Sequence, residues 1–306
     1  MRVGVTGSTG FIGSALVEAL TERGDEVVRF IRPESAATSD SVIRWDPRRQ
    51  IVDDRDLARV GGFDAVVNLA GAGIADRRWN SARKAELQRS RLDATTLLIS
   101  TLRSMSSSTP QLLSGSAVGV YGSRSDEVLD ESSTSGQDFL AQLCTKWEDA
   151  SAPLRNQGTA VANLRTGIVM SRLGGALKRQ LPLFRLGLGG PLGNGRQWLS
   201  PISLRDEIRA ILWIIDHQMS GPVNLVCPTP LTNAEFARRL AQALHRLAIV
   251  RTPAAALKVV LGAQLTSEAI LASQRVLPSA LLESGFVFDD PDATSIINEV
   301  VRLRTN

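Results

Sequence analysis

Apolar positions along the chain alternate between two periods, and that alternation predicts the architecture. Residues 2–6 (RVGVT) form a short β-branched run that stops at Gly7. Residues 11–23 (FIGSALVEALTER) then carry apolar side chains at helical spacing, with Gly24 placed to end the helix. A second strand is expected at 26–31 (EVVRFI), closed by Arg32 and Pro33, and a third apolar run at 63–70 (FDAVVNLA) ends in Gly71. Helical patterning over 81–104, a strand at 111–116, a helix over 137–156 and a strand at 160–164 continue the series. Strands separated by helices at these intervals predict an α/β chain of the Rossmann type, a doubly wound parallel sheet with helices on both faces.

Past Arg165 the texture changes. Residues 167–195 are rich in Gly, Leu and Pro (LPLFRLGLGGPLGNG within them), which predicts an extended loop region. A helix over 203–217 and a strand at 221–226 read as a return to the first layer, and helices are expected over 232–246 and 252–262. There is no internal repeat and no low-complexity segment.

The turn between the first strand and the first helix reads Thr6-Gly7-Ser8-Thr9-Gly10-Phe11-Ile12-Gly13. Each glycine has a separate reason to be there: Gly7 permits the tight turn, Gly10 lets the backbone approach a pyrophosphate, and Gly13 lets the helix pack close to the strand. Amides at the start of the helix, among Gly7, Ser8, Thr9, Gly10, Phe11, Ile12 and Gly13, are then free to hold phosphate. The end of the second strand selects the cofactor. An NAD site places an acidic residue there, about 20 residues past the glycines, to hold the ribose 2′-hydroxyl. This chain has Arg32 instead, with Arg29 nearby, and a guanidinium pairs with a 2′-phosphate; NADP(H) is the cofactor expected. The domain division that follows is an NADP-binding domain over 1–165, rejoined by about 201–226, and a smaller, partly interleaved substrate-side lobe over about 166–200 and 227–306.

Composition narrows the chemistry mainly through what is rare. The 306 residues are 43% hydrophobic and 22% charged, as in an ordinary globular protein, yet contain one tyrosine (Tyr121), two histidines (His217, His245) and two cysteines (Cys144, Cys227). So few cysteines and histidines make neither a disulfide framework nor a metal-ligand set, and the expected compartment is a reducing one, the cytoplasm. No signal-peptide pattern opens the chain and no apolar run is long enough to span a bilayer, so no membrane role is expected. The formal charge is only +4, without a basic run or an RNA-reading aromatic pattern, so no nucleic-acid partner is expected. Neither a GxSxG nucleophile elbow nor a P-loop occurs.

The glycine turn, the Asn68-Leu69-Ala70-Gly71 turn and Ser114-Gly115-Ser116 leading to Val120-Tyr121-Gly122 resemble the extended short-chain dehydrogenase/reductases, the group that contains nucleotide-sugar epimerases. Further matches are to one atypical branch, the YfcH-like epimerase family proteins. They are Ile74-Ala75-Asp76-Arg77-Arg78-Trp79, Leu143-Cys144 with Trp147-Glu148, Leu164-Arg165-Thr166-Gly167, the 184–191 stretch FRLGLGGP, Gln274-Arg275-Val276-Leu277-Pro278 and Gly285-Phe286. The resemblance covers essentially the whole chain. It implies that Leu69, Ala70, Gly71, Arg165 and Gly167 border the cofactor. It also implies a homodimer formed through the helices over 81–104 and 137–156.

That superfamily implies a catalytic Ser, Tyr and Lys, the last two spaced YxxxK. The tyrosine exchanges a proton with substrate, and the lysine lowers its pKa and binds the nicotinamide ribose. Here Lys146 lies in the matching helix, but Gln142 stands four residues before it, and glutamine has no titratable proton. The catalytic candidates are therefore Ser116, Tyr121 and Lys146, with Lys146 also a ribose ligand. Between Asp149 and Asp206 there is no acidic residue, while Arg155, Arg165, Arg172, Lys178, Arg179, Arg185, Arg196 and Arg205 all fall there. A one-signed lining of that kind favours a small anionic substrate; a solvated basic face is the other reading. Two functions stay open: an NADP(H)-dependent oxidoreductase or epimerase-like enzyme with a non-standard site, or a catalytically silent NADP(H)-binding sensor.

Overall fold

The computed structural model describes residues 1–35, 41–105 and 110–302, the last by its backbone alone. The main sheet has eight strands. Six come early: β1 (Arg2–Thr6), β2 (Glu26–Ile31), β3 (Val42–Asp46), β4 (Ile51–Val52), β5 (Ala65–Asn68) and β6 (Gln111–Ala117); the strands Val161–Thr166 and Gly221–Leu225 complete it. The order across the sheet is Gly221–Leu225, Val161–Thr166, β6, β5, β1, β2, β3, β4, and every pairing except β3 with β4 is parallel. This is the doubly wound α/β architecture expected from the alternation.

The two faces are covered by helices whose apolar stripes the sequence supplies. Leu16 and Leu20 of α1 (Phe11–Glu22) are fully buried, and α1 packs beside the helix Leu204–Asp216, which buries Ile208, Ile211, Ile214 and Ile215 in the same core. On the other face α3 (Ser81–Met105) sets Ala94, Leu97, Leu98 and Leu102 against Val28, Phe30, Ile43 and Trp45. The patterned helix over 137–156 is two elements, α4 (Phe139–Asp149) and a turn at Ala152–Arg155. Asp138 caps the first by accepting from the Ala141 amide at 2.9 Å.

Three segments depart from the expected pattern. The strands β3 and β4 and the short helix α2 (Asp54–Val60) were hidden because charged residues interrupt every apolar run between 42 and 60. The supposed loop over 167–195 instead contains a strand, Ile168–Met170, paired in parallel with Pro201–Ser203, and a helix, Gly175–Arg185, that tolerates Pro182 inside it. That helix buries Leu177, Leu181 and Phe184 against Phe236, Leu240, Ile296, Ile297 and Val300 in one apolar cluster. Glycine and proline content outweighed an amphipathic stripe of only three residues. The chain also ends its described part in a helix, Ala293–Arg302, that the pattern did not signal.

Candidate functional site

Two turns at the C-terminal ends of neighbouring strands lie in contact. Gly7 follows β1 at φ +65°, and a Cβ there would come within 2.7 Å of the Leu69 carbonyl carbon and oxygen. Gly13 lies directly over the Gly7 carbonyl, which leaves no room for a Cβ. Gly10 caps α1 without any side chain accepting from the first amides, so these remain open to an anion. Thr6 ties the two turns together. Its Oγ donates to Asn68 Oδ1 at 2.7 Å and accepts from the Leu69 and Ala70 amides at 3.1 and 3.2 Å. Asn68 Nδ2 in turn donates to Thr95 Oγ of α3, which also accepts from the Trp147 indole of α4. Four elements are thus locked by one buried polar chain.

The flanks of this turn carry the expected arginines. Arg29, half-buried, donates Nε to Ser8 Oγ at 3.3 Å, and Arg32 stands exposed at the end of β2. Gly71 lies against the guanidinium of Arg91. Arg91 is buried and donates to the Ala72 and Leu87 carbonyls; burial lowers its pKa to about 10. The Phe11 ring is covered by Gly174, where any side chain would overlap it, so the acid-free segment folds back onto the glycine turn. Gly167 is held where a Cβ would strike the Ser200 carbonyl.

Ser116, Arg165 and Asn224 are cross-strand neighbours on three adjacent parallel strands. Around them runs a second buried network. Ser116 Oγ donates to Glu148 Oε1 at 2.6 Å, and Arg165 grips the same carboxylate with a two-pronged fork, both contacts 2.9 Å. The third guanidinium nitrogen of Arg165 donates to the Tyr121 hydroxyl at 2.9 Å, and that hydroxyl donates to Asn224 Oδ1 at 2.8 Å. The backbone N–H of Asn224 passes the chain on by donating to Glu131 Oε1 at 2.9 Å. Burial would lower the pKa of Arg165, but the fork to Glu148 raises it well above its ordinary value, so the guanidinium stays charged. Tyr121 is 0% exposed, and burial pushes its hydroxyl up to about 12 despite Arg165 beside it. A hydroxyl so placed is a fixed link between two buried partners.

The structure therefore brings Ser116, Tyr121 and Arg165 together and leaves Lys146 apart from them. On α4 the buried arc consists of Leu140, Ala141, Leu143, Cys144, Trp147 and Glu148. Lys146 is exposed on the opposite side with Gln142 and Asp149. The inward pairs at the four-residue spacing are Leu140 with Cys144, Leu143 with Trp147 and Cys144 with Glu148, none of them a tyrosine with a lysine, and burial pushes the Cys144 thiol up to about 12. Trp147 packs its ring on β6 where Gly115 has no side chain; a Cβ there would lie 2.7 Å from it.

The acid-free segment is less one-signed in space than in sequence. Arg165 meets Glu148, Arg205 meets Asp289 and Asp290, and Arg179 meets Asp76. Acids from elsewhere in the chain neutralise three of its eight cations. Glu148, Asn224 and Glu131 carry the network and were not anticipated as site residues. A glutamate on an otherwise apolar helix face, as Glu148 is, was the one available signal. Cys144 and Cys227 are both free and buried.

This combination defines a class. Residues 3–226 match the NAD dependent epimerase/dehydratase family, and residues 252–300 match a domain of unknown function, DUF1731; the chain belongs to that epimerase/dehydratase family. It is 42% identical to an epimerase family protein of Mycobacterium bovis, over 94% of this chain and 93% of the relative. It is 36% identical to the human epimerase family protein SDR39U1, over 98% of this chain and 100% of that protein. Among solved structures it resembles the crystal structure of human SDR39U1 (isoform 2) with NADPH. The TM-score is 0.87 and the identity 34%, with 99% of each chain covered.

Proposed function

We propose that this chain binds NADP(H) and passes hydride to or from a small anionic substrate without a tyrosine–lysine proton relay. The reading rests above all on one observation: an α1 start without a side-chain cap, in a turn whose Gly7 and Gly13 admit no Cβ, with Arg29 held against Ser8 and Arg32 at the strand end beside it. Those residues fit a dinucleotide: open amides for the pyrophosphate, guanidinium groups for a 2′-phosphate. The crystallised human relative, similar over its whole length, carries NADPH. When bound, the nicotinamide supplies the hydride chemistry. Ser116 has its proton committed to Glu148, so toward a ligand its oxygen is an acceptor.

The second reading, an NADP(H)-binding sensor without turnover, is favoured by the sequestered Tyr121 and the outward Lys146. Following reduced-nicotinamide absorbance over a panel of carbonyl compounds separates the two. Oxidation of NADPH that Ser116→Ala abolishes supports the enzyme; tight NADPH binding with no turnover on any carbonyl decides for the sensor. The cofactor assignment has its own test. Arg32→Asp is expected to weaken NADPH about tenfold or more and to reverse the preference toward NADH, measured by fluorescence titration. An unchanged preference would overturn it.

A further inference from the structure

The motif Asp76-Arg77-Arg78-Trp79 takes no part in the glycine turn or in the Ser116 network, yet its loop is built firmly. Trp79 donates its indole N–H to the Ile74 carbonyl and sets its ring edge-on to Phe139. Arg78 donates to the carbonyls of Val259 and Val260 at the end of the helix Ala254–Leu261, which fastens the loop to the C-terminal lobe. Arg83 of α3 is 7% exposed and donates to the Gly73 carbonyl and to Glu86.

Between this loop, the first turns of α3 and the turn that joins β3 to β4 lies a cavity of about 750 Å³. Five guanidinium groups line it, from Arg48, Arg77, Arg78, Arg83 and Arg89, against two carboxylates. No residue of the glycine turn, of the end of β2 or of the Leu69–Gly71 turn lines it. Three of the arginines, Arg48, Arg77 and Arg89, have no side-chain hydrogen bond or ion pair among the described residues, and the buried Nε of Arg83 has no partner either. Glu86 is occupied by Arg83, whose hydrogen bond, with the charges of Arg83, Arg77 and Arg48, holds its carboxyl below the usual range. The cavity is left with an excess of positive charge on planar forks, the geometry that matches phosphate oxygens two at a time.

We propose that this cavity binds the diphosphate group of a small molecule other than the dinucleotide, at a site separate from the glycine turn. The test is calorimetric titration of the full chain at constant ionic strength, saturated beforehand with NADPH, using pyrophosphate and then ADP. One site per chain is expected, weakened about tenfold or more by Arg77→Ser and by Arg89→Ser, with NADPH affinity unchanged in both. Equal affinity for the two probes assigns a free diphosphate; tighter ADP assigns a nucleotide. Should an α3 variant fail to fold by circular dichroism, Arg48→Ser on the opposite wall serves in its place. Heat that disappears under saturating NADPH, or affinity indifferent to these substitutions, overturns the proposal. A chain that binds no NADPH at all overturns the cofactor reading alone, because the same titration on the free protein still reports this cavity.

Discussion

Tyr121 and Glu148 exchange the roles that composition would give them. The single tyrosine of the chain looks like the only acid available to an epimerase-type site, whereas its hydroxyl is a buried hinge between Arg165 and Asn224. Glu148, one acid among many, takes a serine hydroxyl and both prongs of an arginine. The consequence for Tyr121→Phe is a loss of stability of about 1–3 kcal/mol, because Asn224 Oδ1 is left buried without its donor and the Arg165 nitrogen keeps only its 3.4 Å contact to the Glu131 carbonyl. Urea denaturation reads this, and NADPH affinity should stay where it was. A loss below about 0.5 kcal/mol would mean that water or a rearranged Asn224 replaces the hydroxyl.

At the scale of elements, α4 shows why a motif register cannot be read from residue names alone. A lysine in the matching helix invites a family role, but side chains two positions apart on a helix point about 200° away from each other. Glu148 faces the sheet, so Lys146 cannot. Lys146→Met should therefore leave NADPH affinity within about twofold of the parent, since no buried contact or ion pair is removed; a tenfold weakening in fluorescence titration would return Lys146 to the cofactor. The same helix explains Ser114-Gly115-Ser116: a glycine there admits the Trp147 ring, and Trp147 reaches through to Thr95. What was legible was the helix and its strand neighbours. The partners of Glu148, the one charged residue on the apolar arc, were not, because Ser116 and Arg165 reach it from other strands.

Across the whole molecule, stability is coupled to pH by carboxyls shut away from water. Glu207 is fully buried at the start of the helix Leu204–Asp216, accepts one hydrogen bond from Thr166, and has its second oxygen without a partner. Burial raises its pKa to about 8, against 4.5 for the free group. The folded state keeps a proton that the unfolded chain releases, so stability falls as pH rises from about 4.5 to about 8 and is level above that. Glu131, also raised by burial, adds a slope of the same sign. Glu207→Gln should reduce this slope, gaining on the parent by about 1–4 kcal/mol between pH 5 and pH 8 in thermal or urea unfolding. Parallel pH curves for the two proteins would show that Glu207 is ionised in the fold. No helix among the described residues is long and apolar enough to cross a membrane.

The sequence by itself determined the alternation of strands and helices, the glycine turn and the arginines at the end of the second strand. Each of these is local: hydrophobic period, glycines at a fixed spacing, and a side chain at a fixed distance along a βαβ unit. Only the tertiary structure decided that Glu148 of α4 meets Ser116 and Arg165, that acids distant in sequence neutralise part of the acid-free segment, and that Arg48 and Arg89 share a cavity with the Asp76–Trp79 loop. The physical reason is that burial and charge pairing depend on distances across the fold, and residues far apart along the chain have no local pattern to announce that they will meet.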